Sequence, residues 1–210
     1  MEASRIGELL RPFLAADLNR KQTADISIYV DILLRWNARV NLTAVRQPEE
    51  VVTRHFGESL FAAGALFPDP TAAVDVLDVG SGAGFPSIPI KLWAPAIRLT
   101  LVESSQRKVA FLREVCRAVR LMDVNVLACR AEIVPKASAA QIVTLRAVER
   151  FEKVLPVAAG LVAPGGRLAL LIGERQSEAA RSLLAEFSWA PALRIPLSTN
   201  RILEVGARPQ

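Results

Sequence analysis

Val74-Asp75-Val76-Leu77-Asp78-Val79-Gly80-Ser81-Gly82-Ala83-Gly84-Phe85-Pro86 is the stretch that decides the fold. An apolar run ends in an aspartate, and a loop with glycine at every second position follows at once. Such a loop admits a ligand where a Cβ would push it away, and glycine takes positive φ without penalty. The run before it reads as a buried parallel strand, and Ser87 to Trp93 reads as a helix. Strand, glycine turn and helix N-terminus together form the nucleotide-cradling corner of a doubly wound α/β sheet.

The glycine spacing narrows the ligand. A dinucleotide site wants G-x-G-x-x-G, with the third glycine packing helix against strand. Here Gly80, Gly82 and Gly84 are followed by bulky Phe85 and Pro86, which disfavours a nicotinamide oxidoreductase. With Asp78 two residues ahead of it, this D-x-G-x-G-x-G form resembles motif I of the S-adenosylmethionine-dependent methyltransferases, which need no pyrophosphate site. Glu103 closes the next apolar run, Arg98 to Val102, and lies 19 positions after Gly84. A carboxylate about 20 residues beyond a glycine motif is placed to accept hydrogen bonds from ribose hydroxyls. Both adenosyl cofactors use that device, so Glu103 supports nucleoside binding without choosing between them.

Around this core, 210 residues with 51% apolar and 22% charged side chains suit one globular sheet domain plus an appendage. Apolar runs are strand-sized, short of the roughly 20 residues of a membrane span, so no membrane role is expected. Met1-Glu2-Ala3-Ser4-Arg5 lacks the basic-then-apolar pattern of a signal peptide. Cys116 and Cys129 match no metal-ligand spacing and read as reduced thiols of a cytoplasmic protein. The net charge of +5 is spread along the chain with no third strongly polarised, so a polyanion partner is suggested only mildly.

Residues 1–67 read as a helical extension. Ile6, Leu9, Leu10, Phe13 and Leu14 recur on one helical face, and Ile26 to Trp36 continue the pattern in a second helix ending near Asn41. Pro48, followed by Glu49 and Glu50, opens a third helix running to about Leu66. Pro68-Asp69-Pro70 is the linker into the second unit, residues 74–210. There strands are expected at 74–79, 98–103, 123–128, 141–145, 166–172, 189–196 and 200–207, alternating at first with helices at 86–94, 105–119, 150–161 and 176–187. Alternation implies a parallel sheet, and the closely spaced last two strands imply an antiparallel hairpin at one edge.

Ligands of open α/β sheets bind beyond the carboxyl ends of the strands. The candidate cofactor residues are therefore Gly80, Gly82, Gly84 and Phe85 after the first strand and Glu103 after the second. Ala131 and Glu132 after the third lie where an adenine ring would be held, and Arg146 after the fourth lies beside the sulfonium and the substrate.

Several motifs together resemble one family. Trp36-Asn37-Ala38-Arg39-Val40-Asn41-Leu42-Thr43-Ala44 is similar to its W-N-x-x-x-N-L-T-A signature, and Arg54-His55-Phe56-Gly57-Glu58-Ser59-Leu60 to its R-H-x-x-D-S-L element. Asp78 to Pro89, Arg107 to Leu112 and Arg146-Ala147-Val148 complete a match over nearly the whole chain. The family is the bacterial 16S ribosomal RNA guanine-N7 methyltransferases, also called glucose-inhibited division protein B. The resemblance implies a Rossmann-like seven-stranded methyltransferase sheet, S-adenosylmethionine as donor, and one guanine of the 16S ribosomal RNA of the small ribosomal subunit as acceptor. It carries cofactor contacts to Gly80, Phe85, Ala131, Glu132 and Arg146. The chain departs from the pattern at Glu58, where the family has aspartate, at the less basic Ser105 to Lys108, and at Ile172, where family members often have lysine; Arg175 is the nearest replacement for that charge.

Guanine N7 carries an exposed lone pair and no proton, so the expected mechanism is positioning, without a catalytic acid or base. Arg146 and His55 are the possible contributors. His55, the sole histidine, has two readings: a structural group, or one that lines the site with Asn41 and Arg54. Arg39, Arg46, Arg54, Arg107 and Lys108 are the candidate RNA phosphate contacts on a monomeric enzyme. The rivals are methyl transfer to a small molecule or protein, and a non-catalytic module built on the same fold.

Overall fold

The computed structural model describes residues 1–14 and 16–210. Five parallel strands form the centre: β1 (Asp75–Val79), β2 (Arg98–Val102), β3 (Val124–Leu127), β4 (Ala140–Arg146) and β5 (Val162–Gly173). β8 (Arg201–Ala207) runs antiparallel beside β5, and the two-residue strands β6 (Ser188–Trp189) and β7 (Leu193–Arg194) pair with its other edge. The order is β3-β2-β1-β4-β5-β8-β6, with β7 off that path on β8. Strand order reverses between β1 and β4, so the crevice lies above those two carboxyl ends.

The count differs from the seven strands expected because the segment 189–196 is broken. Pro191 lacks the N–H a continuous ladder needs, and two short strands result. The expected hairpin is present, with β8 as its inner strand.

Alternation along the strands serves two cores. Val76, Leu99, Leu101, Ile142, Ala169 and Leu203 face one side, toward α5 (Ser87–Trp93) and α6 (Gln106–Ala118). Leu77, Val79, Val143, Leu145, Leu168 and Leu170 face the other, toward α7 (Phe151–Gly160) and α8 (Ser177–Leu183). The N-terminal helices add a further layer over the first side and share its core through Ile26, Tyr29, Leu33, Phe56 and Leu60.

Of these, α1 (Ala3–Leu10) stops where Pro12 opens a short 3₁₀ turn, Arg11–Phe13. α2 (Arg20–Asn37) starts in a capping box, Asn19 with Gln22, and ends at Asn37 rather than near Asn41. Residues 48–66 form one rod, as expected, with a π-helical turn at Val52–Gly57 between α3 (Pro48–Val51) and α4 (Glu58–Leu66). No helix among the described residues is long and apolar enough to cross a membrane.

Candidate active site

Gly80, Gly82 and Gly84 all have positive φ, +68°, +54° and +82°, the conformation side chains resist. Gly80 and Ser81 donate to Val102 O at 2.9 and 3.0 Å, which ties the loop to the end of β2. Glu103 then clamps it: Oε2 accepts from Gly82 N at 2.9 Å and Oε1 from Ser105 N at 2.7 Å. A carboxylate has about four acceptor positions, so two remain for ribose hydroxyls. A Cβ at Gly82 would meet only Gly80 O, at 3.7 Å, so the loop is open on that side. Open glycine backbone beside a carboxylate with spare acceptors fits the adenosyl part of S-adenosylmethionine.

Asp78 supports the loop from beneath. Its register partner on β4 is Thr144, whose hydroxyl donates to Asp78 Oδ1 at 2.5 Å, and Ser87 of α5 bonds Thr144 at 2.9 Å. Asp78 is 1% exposed, and its Oδ2 has no hydrogen-bond partner among the described residues.

The N-terminal helices wall the site. Tyr29 donates its hydroxyl hydrogen bond to Ala83 O and stacks on Phe85, with centroids 5.3 Å apart. His55 stacks on the same Phe85 at 4.9 Å, and Phe56 meets both Tyr29 and Phe85 edge-on. Arg146 enters from β4, with its guanidinium 5.8 Å from the Phe85 centroid. Its Nη2 donates to Glu58 Oε2 (2.8 Å) and Arg54 O (2.9 Å) and faces His55 Nδ1 (3.2 Å). The π-helical turn supplies both Arg54 O and His55, in keeping with the frequent use of such turns at functional sites. Ala147, at φ +50°, turns the chain sharply behind Arg146.

This arrangement sets the His55 tautomer. Arginine only donates, so Nδ1 accepts and the proton sits on Nε2, where it donates to Thr43 Oγ1 at 2.7 Å. Thr43 in turn accepts from Val45 N, and the loop that holds it is pinned by Asn37, whose side chain bonds Leu42 N, Thr43 N and Thr43 O.

Burial, followed by the charges of Arg146, Arg54 and Arg201, lowers the His55 pKa from 6.5 to about 3. Burial raises Asp78 from 3.8 to about 7, against the hydrogen bonds of Thr144, Ser81 and Ser87. Between pH 3 and 6.5 the unfolded chain protonates its histidine and the folded chain does not, so His55 adds stability as pH rises. Between 3.8 and 7 the folded chain keeps a proton on Asp78 that the unfolded chain has lost, so Asp78 removes stability as pH rises. The two tilts oppose each other where they overlap, each up to about 1.4 kcal/mol per pH unit. In urea titrations from pH 4.5 to 6, the stability of His55→Gln should therefore slope downward relative to wild type, and that of Asp78→Asn upward. Parallel slopes for all three proteins would reject these ionisation states.

Of the residues expected from the sequence, Gly80, Gly82, Gly84, Phe85, Glu103, His55 and Arg146 converge above β1, β2 and β4. Ala131 and exposed Glu132 sit on a 3₁₀ turn after β3, two strands or roughly 10 Å from β1. Arg39, Arg46 and Arg107 are exposed, Lys108 is half-buried, Arg54 is paired with Glu50, and Arg175 is exposed on the turn after β5. Asn41 is exposed, and the hydrogen bonds that shape its loop come from Asn37 instead. Sequence reasoning passed over Asn37 and Thr43 individually, Arg201, and the linking role of Glu58. The signals for Glu58 were its place in the R-H-x-x-D-S-L element and a carboxylate at the head of the mostly apolar run to Leu66, and neither names its partners. A cleft of about 450 Å³ at the amino ends of β1, β2 and β3 lies at the opposite edge of the sheet from these groups, and the convergence of groups outweighs its volume.

A family model described as rRNA small subunit methyltransferase G matches residues 22–197. The ribosomal RNA small subunit methyltransferase G of Myxococcus xanthus (strain DK1622) is 41% identical over 150 residues, 70% of this chain and 67% of its own length. That of Xanthomonas oryzae pv. oryzae (strain MAFF 311018) is 36% identical over 165 residues, 79% of this chain and 76% of its own. Among solved structures, the ribosomal protein L11 methylase of Lactobacillus delbrueckii subsp. bulgaricus superposes with a TM-score of 0.61 at 14% identity, covering 75% of this chain and 79% of that one, a likeness of fold. The matched segment runs from α2 to the loop before β8 and holds the glycine loop, Glu103, His55 and Arg146, and the chain belongs to the rRNA small subunit methyltransferase G family.

Proposed function

We propose that the chain transfers a methyl group from S-adenosylmethionine to N7 of one guanine in the 16S ribosomal RNA of the small ribosomal subunit. The observation that carries this reading is the buried Arg146, held by Glu58, Arg54 O and His55 next to the glycine loop, in a member of this family. When bound, the cofactor supplies an electrophilic methyl on a sulfonium. Gly80, Gly82 and Gly84 would let backbone approach it, Glu103 would accept from its ribose, and Ala131 and Glu132 would flank its adenine. Phe85 and His55 form an aromatic wall that keeps water from the reacting groups. Arg146, held by Glu58, Arg54 O and His55, would border both cofactor and base and keep them in register.

N7 brings its own lone pair, so catalysis consists of alignment and desolvation. His55, neutral above about pH 5, takes no proton. Arg39, Arg46, Arg54, Arg107 and Lys108 are the proposed phosphate contacts, and the chain is proposed to act as a cytoplasmic monomer. The test is transfer of labelled methyl to unmodified small-subunit RNA, naked and as assembled subunits, with nucleoside identification. Label as 7-methylguanosine at one position is expected, with kcat/KM varying less than about threefold between pH 8.5 and 10, above the titration of both His55 and Asp78. Label on protein or small molecules alone would reject the reading, and a steep limb in that pH range would reject the positioning mechanism.

A further inference from the structure

Arg201 uses none of its hydrogen-bond donors. Its side chain is only 25% exposed, and Nε stands 3.3 Å from Glu58 Oε2 without being aimed for a hydrogen bond. Neither Nη has a partner among the described residues, and neither is sealed from solvent. A guanidinium carries five N–H donors in a rigid fork. One so largely buried, with every donor free, is arranged for an acceptor from outside the chain.

The neighbouring charges say what kind of acceptor. Arg54 pairs with Glu50 at 2.9 Å, and Arg146 pairs with Glu58 at 2.8 Å. Two carboxylates therefore serve three guanidinium groups, and Arg201 carries the surplus positive charge. One phosphodiester would neutralise it, and an arginine fork matches phosphate oxygens. Arg201 lines a cleft of about 340 Å³ between the π-helical rod and the 196–201 segment. Exposed Thr199 and Asn200 add neutral donors to this cleft, and Leu197, 77% exposed, gives it an apolar lip. The cleft contains none of the glycine-loop groups, nor Phe85 or Glu103, so its ligand is not the methyl donor.

We propose that Arg201 holds the phosphodiester beside the target nucleotide, with the RNA strand lying along this cleft and Leu197 packing against the neighbouring nucleoside. The assignment rests on the ribosomal RNA reading above. Its place in the sheet agrees. Arg201 begins β8 opposite Gly173 at the end of β5, two strands or roughly 10 Å from β4 and away from the glycine loop. A base that reaches the loop past Arg146 leaves its own backbone on that side. Arg201 would then fix the strand while Arg146 borders the base.

The test uses unmodified small-subunit RNA, in whichever form accepts methyl, ligated to carry a single neutral methylphosphonate at each phosphate around the target guanosine in turn. Wild type should lose about 5- to 50-fold in RNA affinity at one position next to the target. Arg201→Gln should bind unmodified RNA more weakly by a similar factor, with a salt slope shallower by about 0.7–0.9, and be indifferent to the methylphosphonate at that one position. Arg201→Lys keeps the charge and should keep the slope. Leu197→Ser, at an exposed position, should weaken RNA binding about 3- to 10-fold with the slope unchanged. Melting and S-adenosylmethionine affinity verify folding of each variant. A structural role alone would leave the salt slope and the position-specific loss as in wild type, and that result in folded Arg201→Gln overturns the assignment. So does a wild type that tolerates the methylphosphonate at every position, or a Leu197→Ser variant that binds RNA as wild type does. In each of those cases methyl transfer to the RNA stands, whereas no transfer by the wild type to RNA in any form would remove the underlying reading and this one with it.

Discussion

Gly84→Ala is expected to destabilise the chain by about 3–5 kcal/mol, a large share of the 5–15 kcal/mol of a typical domain. Two costs combine. Gly84 has φ +82°, and a non-glycine residue held in a sparsely populated backbone region costs roughly 1–3 kcal/mol. An added Cβ would also lie 2.5 Å from Tyr29 Oη and 2.6 Å from Ile88 Cδ1. Neither neighbour yields easily: Tyr29 is wholly buried, bonded to Ala83 O and stacked on Phe85, and Ile88 is fully buried in α5. Overpacking of this kind adds about 1–3 kcal/mol. The melting temperature should fall by roughly 10 °C, at about 2–4 °C per kcal/mol for a chain of this size.

Gly82→Ala is the internal control. It has φ +54°, but its Cβ would touch only Gly80 O at 3.7 Å. It should lose about 1–2 kcal/mol of stability and most of its S-adenosylmethionine affinity. The two glycines are thus expected to separate in calorimetry and cofactor titration, one guarding the packing of α2 on the loop and the other the ligand's approach. Equal melting temperatures for the two variants would show that the Tyr29 contact is not rigid.

That difference between neighbouring glycines marks what the sequence could disclose. The run from Val74 to Pro86 carries its own local pattern, so strand, loop and helix were legible, as were the sheet alternation and the place of Glu103. The break at Pro191 was not read from the sequence: 189–196 is expected as one strand, and the structure has two short ones there. What could not be read was the packing of residues far apart in the chain. Nothing local says that Tyr29 will press on Gly84, 55 positions away, or that Glu58 will bridge Arg146 and Arg201. The helical period of 48–66 likewise hid a π-helical turn, because an apolar face survives one extra residue in a turn. The state of His55 was open for the same reason: it depends on burial and on a cation contributed by β4.

Arg146→Met is expected to cost about 3 kcal/mol of stability and at least 100-fold in methyl transfer. Arg146 and Glu58 are 7% and 5% exposed, so removing the cation leaves a buried carboxylate short of its best partner. Breaking a buried pair in this way costs roughly 3–5 kcal/mol. The lower end applies because Arg201 stays 3.3 Å from Glu58. Arg54 O and His55 Nδ1 lose a donor as well, and with one lowering charge gone the His55 pKa should rise from about 3, a change visible in its ring resonances. The loss of transfer follows from removing the group that borders the base and cofactor and holds the wall of the site in place, since misplacement of the reacting groups by about 1 Å can cost about 10²-fold. Stability and activity can be separated by Glu58→Met with Arg146→Met. Replacing both members of a buried pair by apolar groups of similar volume is often neutral or better. The double variant should therefore melt within about 1 kcal/mol of wild type and still transfer no methyl, because the arginine that borders the site is absent. Recovery of transfer in that double variant would reduce both residues to scaffolding, and with them the positioning account of this site.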